Sequence, residues 1–93
     1  IHIPCDDNIK YDCVKKLCKY FFAVCSAENI CTLNGVRVDL PQFNGWALVR
    51  ASSNLPELVV IAETKDKASL PRLIDFLHGV FIENDISGEW QNT

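Results

Sequence analysis

The dipeptide Asn34-Gly35 constrains this chain more than any other pair of residues. It separates two apolar runs, residues 30–33 and residues 36–40. Asn-Gly tolerates positive φ at both central positions, so the pattern predicts a two-residue β-hairpin closed by a type I′ turn. In the second arm, Val36 and Val38 alternate with Arg37 and Asp39, the period of a strand with one face buried.

The segments around the hairpin fall into a simple order. Residues 1–4 read as a short edge strand, bordered by Pro4. Asp6, Asp7 and Asn8 offer capping oxygens before a helix that starts at Lys10. Its apolar positions Val14, Leu17, Phe21 and Cys25 repeat at helical spacing, while Lys15, Lys16 and Lys19 form a solvated face. The helix fades near Ser26–Ala27. After the hairpin, residues 41–44 form a connection, and Gly45 opens a strand over residues 46–49, with Trp46 expected in the core. A polar loop at residues 50–56 leads to an apolar run at 58–62, expected as a central strand covered on both faces. A second helix carries the stripe Leu70, Leu73, Ile74, Leu77, Val80 and Phe81. Ser69 is its expected cap, with Asp66 the alternative, because Pro71 favours the first turn. Residues 83–93 read as a loosely held polar tail. Neighbouring strands with helices at both ends indicate an α+β domain with an antiparallel sheet.

Composition narrows the function classes. The 93 residues are enough for one core, and 48% apolar with 23% charged side chains is globular composition. A formal charge of −3 argues against general nucleic-acid binding, which needs a basic surface. The apolar run at 58–62 is too short to span a bilayer, and the first seven residues lack the basic and apolar regions of a signal peptide. The chain contains no methionine, so it is expected to be a piece of a longer protein rather than a processed start.

Five cysteines (Cys5, Cys13, Cys18, Cys25, Cys31) are an odd number, which argues against a closed disulfide framework. His2 and His78 lie at opposite ends and lend no support to a metal site. Buried free thiols in a reducing cytosol are the expectation.

The strongest chemical candidate is the loop that starts at Arg50. It sets a guanidinium fork beside the hydroxyls of Ser52 and Ser53 and the carboxamide of Asn54, between two strands. Phosphate oxygens need several convergent N–H and O–H donors, and arginine supplies two in parallel. Backbone N–H groups of a tight turn can add to such an anion site. A serine- and asparagine-rich loop can equally be no more than a turn. No catalytic constellation accompanies it. Asp6 and Asp7 read as helix caps, the four glycines are isolated, and His78 sits on the last helix.

The stretch Thr32-Leu33-Asn34-Gly35-Val36-Arg37-Val38-Asp39, followed by Gly45-Trp46-Ala47-Leu48-Val49-Arg50-Ala51-Ser52 and by Pro56, resembles the last domain of the α-D-phosphohexomutases. The likeness is to their bacterial phosphomannomutase/phosphoglucomutase branch and spans residues 1–82. It implies a TBP-like fold: a four-stranded antiparallel sheet with two helices on one face, here with a short N-terminal strand. Such enzymes move a phosphoryl group between the 1- and 6-positions of a hexose, through a bisphosphorylated sugar and a phosphoserine. The phosphoserine and a Mg²⁺ site are expected in the missing domains, with no cofactor in this one. The last domain would grip the non-reacting substrate phosphate through an Arg-x-Ser-(Gly/Asn)-Thr-x-Pro loop. Arg50 and Ser52 match that motif, whereas Ser53 replaces glycine or asparagine and Asn54 replaces threonine. If the Ser53 position required positive φ, serine would be strained there.

The resemblance implies a hexose phosphate and the other domains of a cytoplasmic parent enzyme as partners, with neither nucleic acid nor membrane. On this reading the fragment alone is inactive. A stand-alone α+β interaction module that binds no sugar phosphate is the competing reading.

Overall fold

The computed structural model describes residues 1–91. Its elements run β1 (His2–Pro4), α1 (Lys10–Val24), β2 (Ile30–Cys31), β3 (Val36–Leu40), β4 (Gly45–Ala51), β5 (Glu57–Thr64) and α2 (Ser69–Glu83). Short 3₁₀ turns at Ala27–Asn29 and Pro41–Phe43 join α1 to β2 and β3 to β4. The five strands form one sheet in the order β1-β5-β4-β3-β2, and every pairing is antiparallel. The α+β architecture with four main strands, two helices and a short N-terminal edge strand is thus present.

Alternation along the strands explains the core. Val36 pairs with Val49, Val49 with Val60, and Leu58 with Ile3, so these side chains share a face, and all are buried. α1 covers β3 and β4 with Leu17 and Phe21, while α2 covers β4 and β5 with Leu73, Leu77 and Phe81. Each such buried side chain contributes about 1.5–3 kcal/mol relative to an exposed one. The opposite face carries Arg37, Asp39, Trp46, Leu48, Arg50 and Ile61, and among the described residues the helices pack on the other side.

The hairpin differs from its expected form. A two-residue loop would set Ile30 opposite Asp39, but Ile30 stands opposite Val38 and Cys31 opposite Arg37. Only Gly35 takes positive φ, at 100°, and Asn34 does not, so the turn is not type I′. The observed register keeps Ile30 on the face of Val38 and the core, whereas a one-residue slip would send it to the other face. Facing the core outweighs the turn preference.

Four further expectations are corrected. Trp46 is half-buried on the helix-free face, where the Arg37 guanidinium lies 4.1 Å from its ring centre, so it stands outside the core. β5 is covered on both faces only near Val59, since Ile61 is 41% exposed. At α2, Asp66 caps: its carboxylate accepts from the Ser69 N–H at 3.0 Å and the Ser69 hydroxyl at 2.9 Å. At α1 no side chain caps the helix, and Asp6 Oδ1 instead accepts from the Asn8 N–H at 2.8 Å in a local turn.

The segment after α2 is not loose as far as Gln91. Ile86 is buried, the backbones of His2 and Gln91 exchange hydrogen bonds of 2.7 and 2.9 Å, and Trp90 stacks on His78 at 4.0 Å. Residues 92 and 93 of the expected tail lie outside the described residues.

Candidate functional site

The Arg50 loop grows out of the β4–β5 ladder. That ladder runs one step past Ala51, because the Ser52 N–H donates to the Glu57 carbonyl at 3.0 Å. Alternation then places Arg50 and Ser52, two residues apart, on the helix-free side, while Ala51 faces Leu58 and the core. β4 also outruns β3: Val36 pairs with Val49, and Arg50 has no partner beyond it. An open hollow of about 750 Å³ occupies this end of the sheet, lined among others by Tyr11, Lys15, Cys18, Gly35 and Arg50.

Arg50 is exposed and enters no ion pair among the described residues. Ser52 Oγ accepts from the Leu55 N–H at 3.2 Å and, more weakly, from the Asn54 N–H at 3.4 Å, leaving its own O–H to donate elsewhere. Ser53 and Asn54 form the exposed crown of the loop. Ser53 does not take positive φ, so serine in place of glycine carries no left-handed strain here. The structure therefore brings Arg50, Ser52, Ser53 and Asn54 into one exposed loop, but only Arg50 of the four also lines the hollow.

Below the crown the loop is tied down. The Cys5 N–H donates to the Pro56 carbonyl at 2.8 Å, and the Glu57 N–H to the Leu55 carbonyl at 2.8 Å. Lys10, only 4% exposed, donates from Nζ to the Ser52 carbonyl at 2.6 Å and the Leu55 carbonyl at 3.0 Å. Asp7 Oδ1 takes its third donor at 2.7 Å. Glu57, the acidic residue that closes the loop, is tied to the His2 imidazole. Sequence reasoning missed Lys10. The available signal was its position: a lysine in the first turn of a helix opposes the macrodipole and needs another reason to be there.

The cysteines are less uniform than expected. Cys5 and Cys13 are buried, Cys18 and Cys25 half-buried, and Cys31 exposed. Burial, reinforced by the Cys13 thiol 3.8 Å away, pushes the Cys5 thiol up to about 11. No group of three or more His, Cys, Asp or Glu among the described residues is placed to hold a metal ion. Likewise no helix among them is long and apolar enough to cross a membrane.

Fold and site together define an antiparallel α+β domain that carries an arginine–serine loop at the open end of its sheet. Comparison with known proteins gives that class its relatives. Over 78 residues, 84% of the chain, it is 37% identical to a phosphomannomutase/phosphoglucomutase of Pseudomonas syringae pv. tomato. Over 45 residues, 48% of the chain, it is 51% identical to the enzyme of the same name from Pseudomonas aeruginosa. Over 47 residues, half of the chain, it is 49% identical to that of Pseudomonas putida. The matched portions span only 16%, 9% and 10% of those proteins, the extent of one domain. No family model matches the chain. The resemblance to the α-D-phosphohexomutases carried by the hairpin and β4 motifs is thereby upheld: the chain is a relative of a domain-sized part of phosphomannomutase/phosphoglucomutase.

Proposed function

We propose that this chain is the C-terminal domain of a phosphomannomutase/phosphoglucomutase, which interconverts hexose 1-phosphate and hexose 6-phosphate in the cytoplasm, and that it grips the non-reacting phosphate. The observation that carries this reading is the Arg50 guanidinium, exposed and without an ion pair among the described residues, on a loop that also presents Ser52, Ser53 and Asn54. A guanidinium paired with a carboxylate would have fewer N–H donors and less net charge to offer a phosphate dianion. This one keeps all of its donors, enough for two parallel N–H bonds.

Holding the remote phosphate would fix the sugar oxygen near a phosphoserine on another domain. Positioning of that kind can supply several kcal/mol of barrier reduction, on the order of what well-oriented intramolecular reactions gain. Closure of this domain over the substrate would exclude water that hydrolyses the phosphoenzyme. The resemblance assigns the Mg²⁺ site and the phosphoserine to other domains of the parent enzyme, and on that reading the fragment alone turns nothing over. The TBP-like assignment of the sheet and its two helices rests on the same resemblance.

One arginine and a few neutral donors hold a dianion weakly, so this chain binds glucose 1-phosphate no better than roughly millimolar. NMR titration of the labelled chain measures this. Micromolar affinity would mean a complete site within these residues. In the full-length enzyme, Arg50→Ala raises KM and lowers kcat together, reducing kcat/KM by about 10- to 100-fold as a charge-assisted contact is lost. Unchanged kinetics would remove the loop from the mechanism.

A further inference from the structure

The Lys10 ammonium has three N–H donors, and each has an acceptor: the Ser52 carbonyl at 2.6 Å, the Leu55 carbonyl at 3.0 Å and Asp7 Oδ1 at 2.7 Å. Its side chain is 6% exposed, against 66% for that of Asp7. A buried charge is costly unless it is fully hydrogen-bonded, and two of the three bonds come from the loop. The two carbonyls bracket Ser53 and Asn54. Across a trans peptide the carbonyl and the following N–H point in opposite directions. Drawing the Ser52 oxygen down to Lys10 therefore turns the Ser53 N–H up, towards the exposed side. There it meets no acceptor among the described residues.

We infer that Lys10 is a positioning residue of the Arg50 loop: by holding the Ser52 carbonyl back from the anion side, it presents the Ser53 N–H there as a donor. Lys10 is not itself a phosphate ligand, because it is buried and its donors are occupied. Its role is orientation. Without it the Ser52 carbonyl is free to rotate outward, and its negative end would then face the group that Arg50 binds, while the Leu55 carbonyl keeps its bond from the Glu57 N–H. This rests on the phosphate reading of the loop but assigns a residue outside the loop motif, 42 positions before Ser52.

The test is titration of inorganic phosphate into the ¹⁵N-labelled chain and its Lys10→Met, Lys10→Arg and Arg50→Ala variants. In the unsubstituted chain the Ser53 amide proton moves downfield and saturates in the millimolar range, as for a weak anion contact, roughly 1–10 mM. Lys10→Met retains a dispersed spectrum, loses the Ser53 response and binds about fivefold more weakly or worse. Lys10→Arg, which can still donate to both carbonyls, recovers part of both effects. Phosphate binding and a Ser53 shift that survive Lys10→Met, while Arg50→Ala abolishes binding, overturn the inference and leave the loop reading intact. Binding untouched by Arg50→Ala, or no saturable shift in the unsubstituted chain, overturns both. Should Lys10→Met fail to fold, the unsubstituted chain decides: a Ser53 amide that stays in place while Arg50 Nε shifts sinks the role given to Lys10.

Discussion

Gly35 lies directly against Arg50: a methyl group on Gly35 would stand 2.9 Å from Arg50 Cβ and 2.3 Å from the Val49 carbonyl oxygen. The hairpin turn thus leans on the strand that delivers the candidate phosphate ligand, and only a residue without a side chain permits that approach.

Gly35→Ala is therefore expected to destabilise the chain by about 1–3 kcal/mol, from overpacking against backbone and from strain at φ +100°. The displaced β4 backbone should shift the Arg50 amide resonance as well. Gly79→Ala makes the matched control. A methyl group at this position in α2 meets nothing within 4 Å, so alanine should stabilise by about 0.5–1 kcal/mol through helix propensity. Urea denaturation of the two variants against the parent chain measures both signs. A neutral Gly35→Ala would mean that the turn does not rest on β4.

Much of this arrangement is legible in the sequence, and the omissions have physical causes. The arms around Asn34-Gly35, the two helical stripes and the order of strands follow from local periodicity, which is where the information lies. The hairpin register does not, because it is decided by the burial of Ile30 beside Val38 under a helix, and no turn rule contains that contact. Arg50 and Ser52 can be named from their motif. Lys10 cannot, since both carbonyls that explain it lie more than forty residues further along. Trp90 was likewise hidden in an acidic, polar segment whose packing surface, His78 and Phe81, belongs to the preceding helix.

That packing carries its own expectation. Trp90 stacks on His78 and meets Phe81 edge-on at 5.0 Å, next to the His2–Gln91 bridge that prolongs the sheet edge. Trp90→Ala should cost about 1–3 kcal/mol, since aromatic pairs and partial burial are both lost. Trp46→Ala, on the helix-free face, removes chiefly the Arg37 contact and should cost under about 1 kcal/mol. Thermal denaturation of the two variants compares them. Equal losses would show that the Trp90 segment adds nothing to the core.

Asp66 gives the fold an acid-side dependence. Its bonds from the Ser69 hydroxyl, and after that from the Ser69 and Asn44 N–H groups, hold its carboxyl below the usual carboxylate range. A lowered native pKa means that the unfolded chain takes up the proton first as pH falls. The capping contribution is accordingly present above about pH 4, the unfolded value, and is lost as pH drops through the native one. NMR titration should find the Asp66 side chain titrating below the other aspartates, and Asp66→Asn should flatten the fall in Tm between about pH 4 and pH 2. An Asp66 that titrates with the rest would remove the cap from the account.

The thiols act at the other end of the scale. Only the thiolate attacks an alkylating reagent, so exposure and pKa together set the order of reaction. Cys31 is exposed, whereas Cys5 is buried with its thiol pushed up to about 11, mainly by desolvation and then by Cys13. Iodoacetamide at pH 8 followed by mass spectrometry should label Cys31 first, Cys18 and Cys25 more slowly, and Cys5 and Cys13 only on unfolding. The same raised value makes stability alkali-sensitive. The unfolded thiol ionises near its ordinary 9.0 while the native one stays protonated, so the contribution is whole below pH 9 and disappears as pH rises towards 11. Tm should fall across that window, and Cys5→Ala should reduce the slope. Rapid labelling of Cys5 in the folded chain would contradict the packing that joins the end of β1 to α1, and with it the footing on which Lys10 stands.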